Sequence, residues 1–208
     1  MKIHRPDKGA DPMIIWINGA FGSGKTTAAH ELHRRIPGSH VYDPENVGYF
    51  IWKNAPKSFR QGDFQDYPQW RSVNYDLLRM LSERYDGPII VPMTLVNPQY
   101  FDEIVGRLRA DGIDVKHYAL LASRETLLKR LKKRGDRSHS WPAQQIDRCM
   151  ASLSGERFEQ HIHSDHLTVE EVIERIASEA RIQLIPDRRS KLRKSIDRLI
   201  VTIKHIRI

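Results

Sequence analysis

The chain has 208 residues, 39% hydrophobic and 29% charged, enough for one domain with a full apolar core. No apolar run approaches the roughly 18 residues needed to span a bilayer, and the single cysteine, Cys149, excludes an internal disulfide and a cysteine-rich zinc site. The formal charge of +8 sits mostly in one place: from Asp187 to Ile208 eight Lys/Arg face two Asp, so the body is only slightly basic and no nucleic-acid partner is expected.

Residues 1–12 mix charges, a glycine and two prolines without periodicity, and read as a flexible extension. They lack the apolar core of a signal peptide, so a cytoplasmic location is expected. Met13 to Ile17 is a continuous apolar run, the pattern of a buried parallel strand. Gly19-Ala20-Phe21-Gly22-Ser23-Gly24-Lys25-Thr26 then fits the phosphate-loop pattern G-x-x-x-x-G-K-[ST] at every fixed position. Ala28, Ala29, Leu32 and Ile36 follow at helical spacing, and Pro37-Gly38 stops the helix. Strand, loop and helix in that order are the context in which such a loop binds nucleotide. The loop, with Thr27 behind it, is expected to cradle the phosphates of ATP. Lys25 would reach the outer phosphates and the Thr26 hydroxyl would hold Mg²⁺.

The second strand is expected at Ser39 to Tyr42 and ends at Asp43-Pro44-Glu45, because Pro44 cannot continue a ladder. An acidic pair at the carboxyl end of a strand lies where open α/β sheets bind ligands. Asp43 reads as a base or Mg²⁺ anchor and Glu45 as a ligand to a substrate hydroxyl; an Asp-Pro turn capping the next helix is the alternative. Aromatics and cations alternate from Val47 to Asp66, as a stacking surface or as the small core of a peripheral helical pair. A helix from Trp70-Arg71 to about Tyr85 should turn Val73, Leu77, Leu78 and Leu81 inward. Arg71 is the candidate cation for the acceptor, against an ordinary surface arginine.

Ile89 to Met93 reads as the third strand and lacks a Walker-B Asp. Asn97-Pro98 is a helix start, with Phe101, Ile104, Val105 and Leu108 inward and Gly112 at its end. The fourth strand spans about Val115 to Leu121, and Ser123 caps a helix that places Leu127, Leu128 and Leu131 inward. The polar stretch Gly135 to Ser140 and the helix opening at Trp141-Pro142 complete a lid pattern. Its candidate phosphate ligands are Arg130, Arg134, Arg137 and Arg148; a solvated basic face is the alternative. His161-Ile162-His163 reads as a short fifth strand with solvent-facing alternation favoured over metal binding. Thr168 to Glu171 is a capping box for a helix with Val172, Ile173, Ile176 and Ala177 inward. From Arg188 to Ile208 one amphipathic helix is expected, with Leu192, Ile196, Leu199, Ile200 and Ile203 on a stripe. Contact with an anionic membrane, docking on the body and pairing with a second subunit all remain open for it.

Beyond the phosphate loop, the resemblance rests on Val41 to Glu45, Asp63-Phe64-Gln65, Val91 to Thr94, Glu125 to Leu131, Gln145 to Cys149 and the terminal His205 to Ile208. Together these residues resemble the bacterial ATP-binding tunicamycin resistance proteins, a branch of the small phosphate-loop kinases. The resemblance covers Met13 to Ile208. It implies ATP binding and resistance to tunicamycin, a uridine-containing glycolipid, and its outline is similar to shikimate kinase. The expected fold is α/β, a five-stranded parallel sheet with helices on both faces. A phosphate-loop kinase-like domain would span 13–186 and a basic amphipathic helix 187–208. The expected activity is ATP-dependent phosphoryl transfer to tunicamycin or a related nucleoside. The rival is sequestration of the drug at the membrane without modification.

Overall fold

β1 (Ile14–Gly19) is buried along its whole length, and this follows from its neighbours. In the computed structural model, which describes residues 12–137, 139–158 and 160–205, β1 is the central strand of a five-stranded sheet. The expected extension lies almost wholly outside the described residues, as does the end of the tail. The strand order is β2-β3-β1-β4-β5, with β2 His40–Val41, β3 Ile89–Pro92, β4 Val115–Leu121 and β5 His161–His163. Every pairing is parallel; Ile14 lies opposite Ile89 on one side and Val115 on the other. Successive side chains alternate between faces. Ile14 and Trp16 therefore join one core cluster while Ile15 and Ile17 join the other. A strand buried on both faces favours apolar residues, which is why Ile14 to Ile17 reads as an unbroken run, while the buried Asn18 side chain is hydrogen-bonded to Leu95. In β5, His161 is half-buried, Ile162 buried and His163 exposed.

One face is covered by α1 (Lys25–Arg35) and α9 (Val169–Glu179). Ala28, Ala29 and Leu32 from α1 meet Val172, Ile173, Ile176 and Ala177 from α9. The Thr168–Glu171 capping box is present as expected. The other face carries α2 (Glu45–Asn54), α3 (Pro68–Arg84), α4 (Pro98–Phe101), α5 (Arg107–Ala110), α6 (Arg124–Arg134), α7 (Trp141–Gln144) and α8 (Ile146–Leu153). A π-helical turn, Asp102–Gly106, joins α4 to α5. Asn97 caps α4 by accepting from Gln99 and Tyr100, and Phe101, Ile104, Val105 and Leu108 are all buried.

Helix α3 departs from its expected face. Val73 is 39% exposed, Leu77 and Leu81 are half-buried, and the inner face is Trp70, Arg71, Asn74, Tyr75 and Leu78. The cause is polar anchoring. Trp70 Nε1 donates to the Pro44 carbonyl at 3.0 Å, and Tyr42 Oη donates to Asn74 Oδ1 at 2.7 Å. These bonds hold the end of β2, where the acidic pair leaves the sheet.

The tail helix α10 (Lys191–His205) docks by its charged face. Arg189 bridges Glu31 of α1, Asp187 and Asp197; Arg198 and Lys194 pair with Glu170. Side-chain hydrogen bonds from Arg189 and Lys194 hold the Asp187 carboxyl well below the usual carboxylate range. Asp197 and Val201 are buried, whereas Leu192 is 72% and Leu199 59% exposed, with Ile196 and Ile200 also exposed. The apolar stripe is therefore not the surface that meets the body. The side chain of Ile203 lies outside the described residues.

Candidate functional site

The loop between β1 and α1 leaves the sheet between β3 and β4, at the carboxyl ends of the strands. This is the crevice in which open α/β sheets bind ligands. Gly22 and Gly24 have φ of +84° and +93°, values that side chains with a Cβ adopt at a cost. A Cβ on Gly22 would also sit 2.9 Å from the Leu127 carbonyl. The loop thus turns tightly over α6, and α1 begins at Lys25 with its free N–H groups toward the crevice.

Lys25 is 7% exposed, and no hydrogen bond or ion pair reaches its Nζ among the described residues. Its close partner is the Phe21 ring, 5.1 Å from Nζ. Burial pushes its pKa below the usual lysine value, while Glu45 and Asp43 act the other way from a distance. The Ser23 hydroxyl beside it is also buried without a partner. A buried cation and an orphaned hydroxyl in a glycine cradle are what a polyanion would satisfy. The residues present therefore fit a nucleotide phosphate group.

The crevice opens into a cleft of about 2390 Å³. Phe21, Lys25, Thr26, Asp43, Glu45, Arg134 and Arg137 all line it. Asp43 satisfies both readings at once: its Oδ1 accepts the Glu45 N–H at 3.0 Å, capping α2, while the carboxylate faces the cleft. Arg134 donates to Asp136 Oδ2 at 2.6 Å, and both line the cleft. Thr26 and Asp43 are the residues that would hold Mg²⁺.

Three predicted arginines are placed elsewhere. Arg130 braces the loop from behind, donating to the Ser23 carbonyl at 3.4 Å and to the Ser164 carbonyl at 2.6 Å. Arg148 is exposed and lies 3.8 Å from Asp63. Arg71 is buried, bound to Glu103 at 2.5 Å and to the Gln65 carbonyl at 2.6 Å. None of the three is part of the cleft wall: Arg71 and Arg130 donate to protein acceptors, and Arg148 is exposed beside Asp63 without a hydrogen bond to it among the described residues. Thr27 is half-buried on α1 behind the loop.

The cleft also contains residues not singled out for function above: Asp63, Gln65, Thr94 and Trp141. Thr94 Oγ1 donates to the Gly19 carbonyl at 2.7 Å, and Trp141 meets the Phe21 ring edge-on at 5.2 Å. The family-like segments containing Asp63-Phe64-Gln65 and Thr94, and the helix start at Trp141-Pro142, pointed toward them. Tyr49, Trp52 and Phe64 form an aromatic wall on the α2 side.

The family described as AAA domain matches residues 14–155. A tunicamycin resistance protein from Deinococcus radiodurans is 35% identical, with a TM-score of 0.73 over 84% of this chain and 99% of that one. The chain belongs to the tunicamycin resistance protein family. A gluconokinase from Sinorhizobium meliloti shares the fold at 20% identity and a TM-score of 0.57, over 82% of this chain and 93% of the other. A shikimate kinase from Bacteroides thetaiotaomicron does so at 14% identity and 0.55, over 82% and 99%. No curated protein matches the sequence. The chain thus shares its fold with these small phosphate-loop kinases.

Proposed function

We propose that the protein is an ATP-dependent phosphotransferase that inactivates tunicamycin or a related nucleoside. The observation that carries this reading is the buried Lys25, its Nζ reached by no hydrogen bond or ion pair among the described residues, opening onto the same cleft as Asp43 and Glu45. Lys25 and the loop amides hold the phosphates. Mg²⁺, when bound, would supply charge compensation from the side of Thr26 and Asp43. Asp43 orients the acceptor hydroxyl and takes its proton as the new O–P bond forms. The β,γ-bridging bond breaks and ADP leaves. Glu45 holds a neighbouring hydroxyl, and Arg134 and Arg137 neutralise charge on the transferred group. Arg134 must exchange Asp136 for phosphate to do so, which makes its pair a ready lid contact. Drug-stimulated ADP release should be measurable. Tight nucleotide-dependent drug binding without ADP release would contradict transfer and favour the second reading.

That second reading is sequestration at a membrane, favoured by the exposed stripe of α10. Lys191 and Arg193 flank the stripe, the arrangement that lies on anionic lipid. No helix among the described residues is long and apolar enough to cross a membrane. Contact would be peripheral, on the inner face in a cytoplasmic protein. Replacing Leu192 and Leu199 with glutamate should abolish sedimentation with anionic vesicles; equal sedimentation of both proteins would exclude the contact.

A further inference from the structure

The cleft holds a further carboxylate, Asp63, and several elements converge to fix it. Asp63 caps the 3₁₀ turn Phe64–Asp66, its Oδ1 accepting the Gln65 N–H at 3.0 Å. Its side chain is 17% exposed. No hydrogen bond reaches Oδ2 among the described residues; the nearest cation is the Arg148 guanidinium, 55% exposed and 3.8 Å away. Burial outweighs both partners and pushes the Asp63 carboxyl up. A desolvated carboxylate with an unused oxygen costs stability unless something binds it.

The turn that carries Asp63 is held from three directions. The Phe64 ring is buried against Tyr49, Trp52 and Trp70, with centroids 5.9, 5.1 and 5.6 Å away. It occupies the space over Gly48, where a Cβ would sit 2.4 Å from the ring. Gln65 Nε2 donates to the Thr94 carbonyl at 3.1 Å, and Thr94 in turn holds Gly19 of the phosphate loop. The Gln65 carbonyl accepts from Arg71, whose guanidinium is paired with Glu103 and stacked 4.2 Å from the Tyr100 ring centroid. A continuous set of contacts therefore runs from a half-buried ion pair through the Asp63 turn to the phosphate loop. Replacing such an ion pair by apolar residues is often neutral for stability, so its role here is better read as positioning.

We propose that Asp63 fixes the acceptor, receiving a hydroxyl or N–H donor on Oδ2 beside the aromatic wall, and that Arg71 is a positioning residue that holds the Asp63 turn without touching the acceptor. This rests on the cleft binding both donor and acceptor, as proposed above. It also gives Arg71 a function at one remove from the contact expected of it.

Calorimetry with tunicamycin, on protein saturated with Mg²⁺ and a non-hydrolysable ATP analogue, tests the assignment. Asp63→Asn should weaken drug binding at least about tenfold, the scale of a lost charge-assisted bond. Nucleotide affinity should stay within about twofold, since no phosphate contact is removed. Asp63→Ser retains an N-cap acceptor and should behave alike, which separates lost charge from lost fold. Wild-type drug affinity should fall as pH drops through the raised Asp63 pKa, and this acid limb should vanish in both variants. The other groups facing Asp63 are Asp66 in its own turn, Tyr100 from α4, and Arg148 and Cys149 from α8. Arg71→Met should move the limb back toward ordinary carboxylate values, an effect that mere loss of stability would not produce. Drug affinity within twofold of wild type in Asp63→Asn, with the acid limb intact, would overturn the inference and leave phosphoryl transfer standing. A wild-type protein that binds nucleotide but no drug would overturn both.

Discussion

Replacing Lys25 with methionine should remove drug-dependent turnover, by about 10²- to 10³-fold or more, the cost of deleting one donor to a developing phosphate charge. The same variant should be no less stable than wild type, and its ligand-free melting temperature should rise. Lys25 is buried, and the cost of burial outweighs the favourable pull of Glu45 and Asp43, so the fold disfavours its protonated form. The sign follows from the lowered pKa. At neutral pH the penalty for charge is present, and it disappears only as pH rises through the lowered folded value toward that of free lysine. Methionine has similar length and no charge, so it removes the penalty together with the phosphate ligand. Nucleotide titration and thermal melting check both halves. A methionine variant that binds ATP like wild type would show that the buried ammonium serves packing alone.

Asp43→Asn should separate binding from chemistry. The amide oxygen can still accept the Glu45 N–H, so the α2 cap and the fold remain. What is lost is a proton acceptor facing the cleft. Turnover should fall by about 10²- to 10⁴-fold, the usual contribution of a positioned base. The Kd for nucleotide measured without Mg²⁺ should change little. Steady-state kinetics beside nucleotide binding read the split, and full activity in this variant would contradict the base assignment. Glu45→Gln should instead raise the KM for the acceptor, because its assigned contact is with a non-reacting hydroxyl.

The central strands β1 and β3 were legible in the sequence because they are short, nearly continuous apolar runs bounded by turn residues. The β4 limits matched, and β5 was found from three residues. The phosphate loop was legible because its chemistry is local: eight consecutive residues carry the whole pattern. The acids after β2 came from position relative to the sheet, which the strand order supplies. What failed did so where tertiary contacts decide. Val73 looked inward because it is apolar at helical spacing, but Trp70 and Asn74 bind Pro44 and Tyr42 and rotate α3 away from it. For Arg130 on α6 and Arg148 on α8 the sequence supplies the charge, but which helix face meets phosphate is not encoded in spacing. The tail shows this most plainly. Its stripe is visible in the sequence, but the bond between Arg189 and Glu31, 158 residues apart, determines which side docks. The local pattern at Asp63 shows only a turn; its setting in the cleft is assembled from Arg71, Thr94 and Gly48.

The central claim is that this cleft transfers a phosphoryl group rather than merely holding its ligands. Incubating the protein with ATP, Mg²⁺ and tunicamycin and weighing the drug by mass spectrometry tests it most directly. The account predicts a mass gain of one phosphoryl group, matched by ADP and absent in Asp43→Asn. Unmodified drug, recovered from a protein that binds it tightly in the presence of ATP, would contradict it.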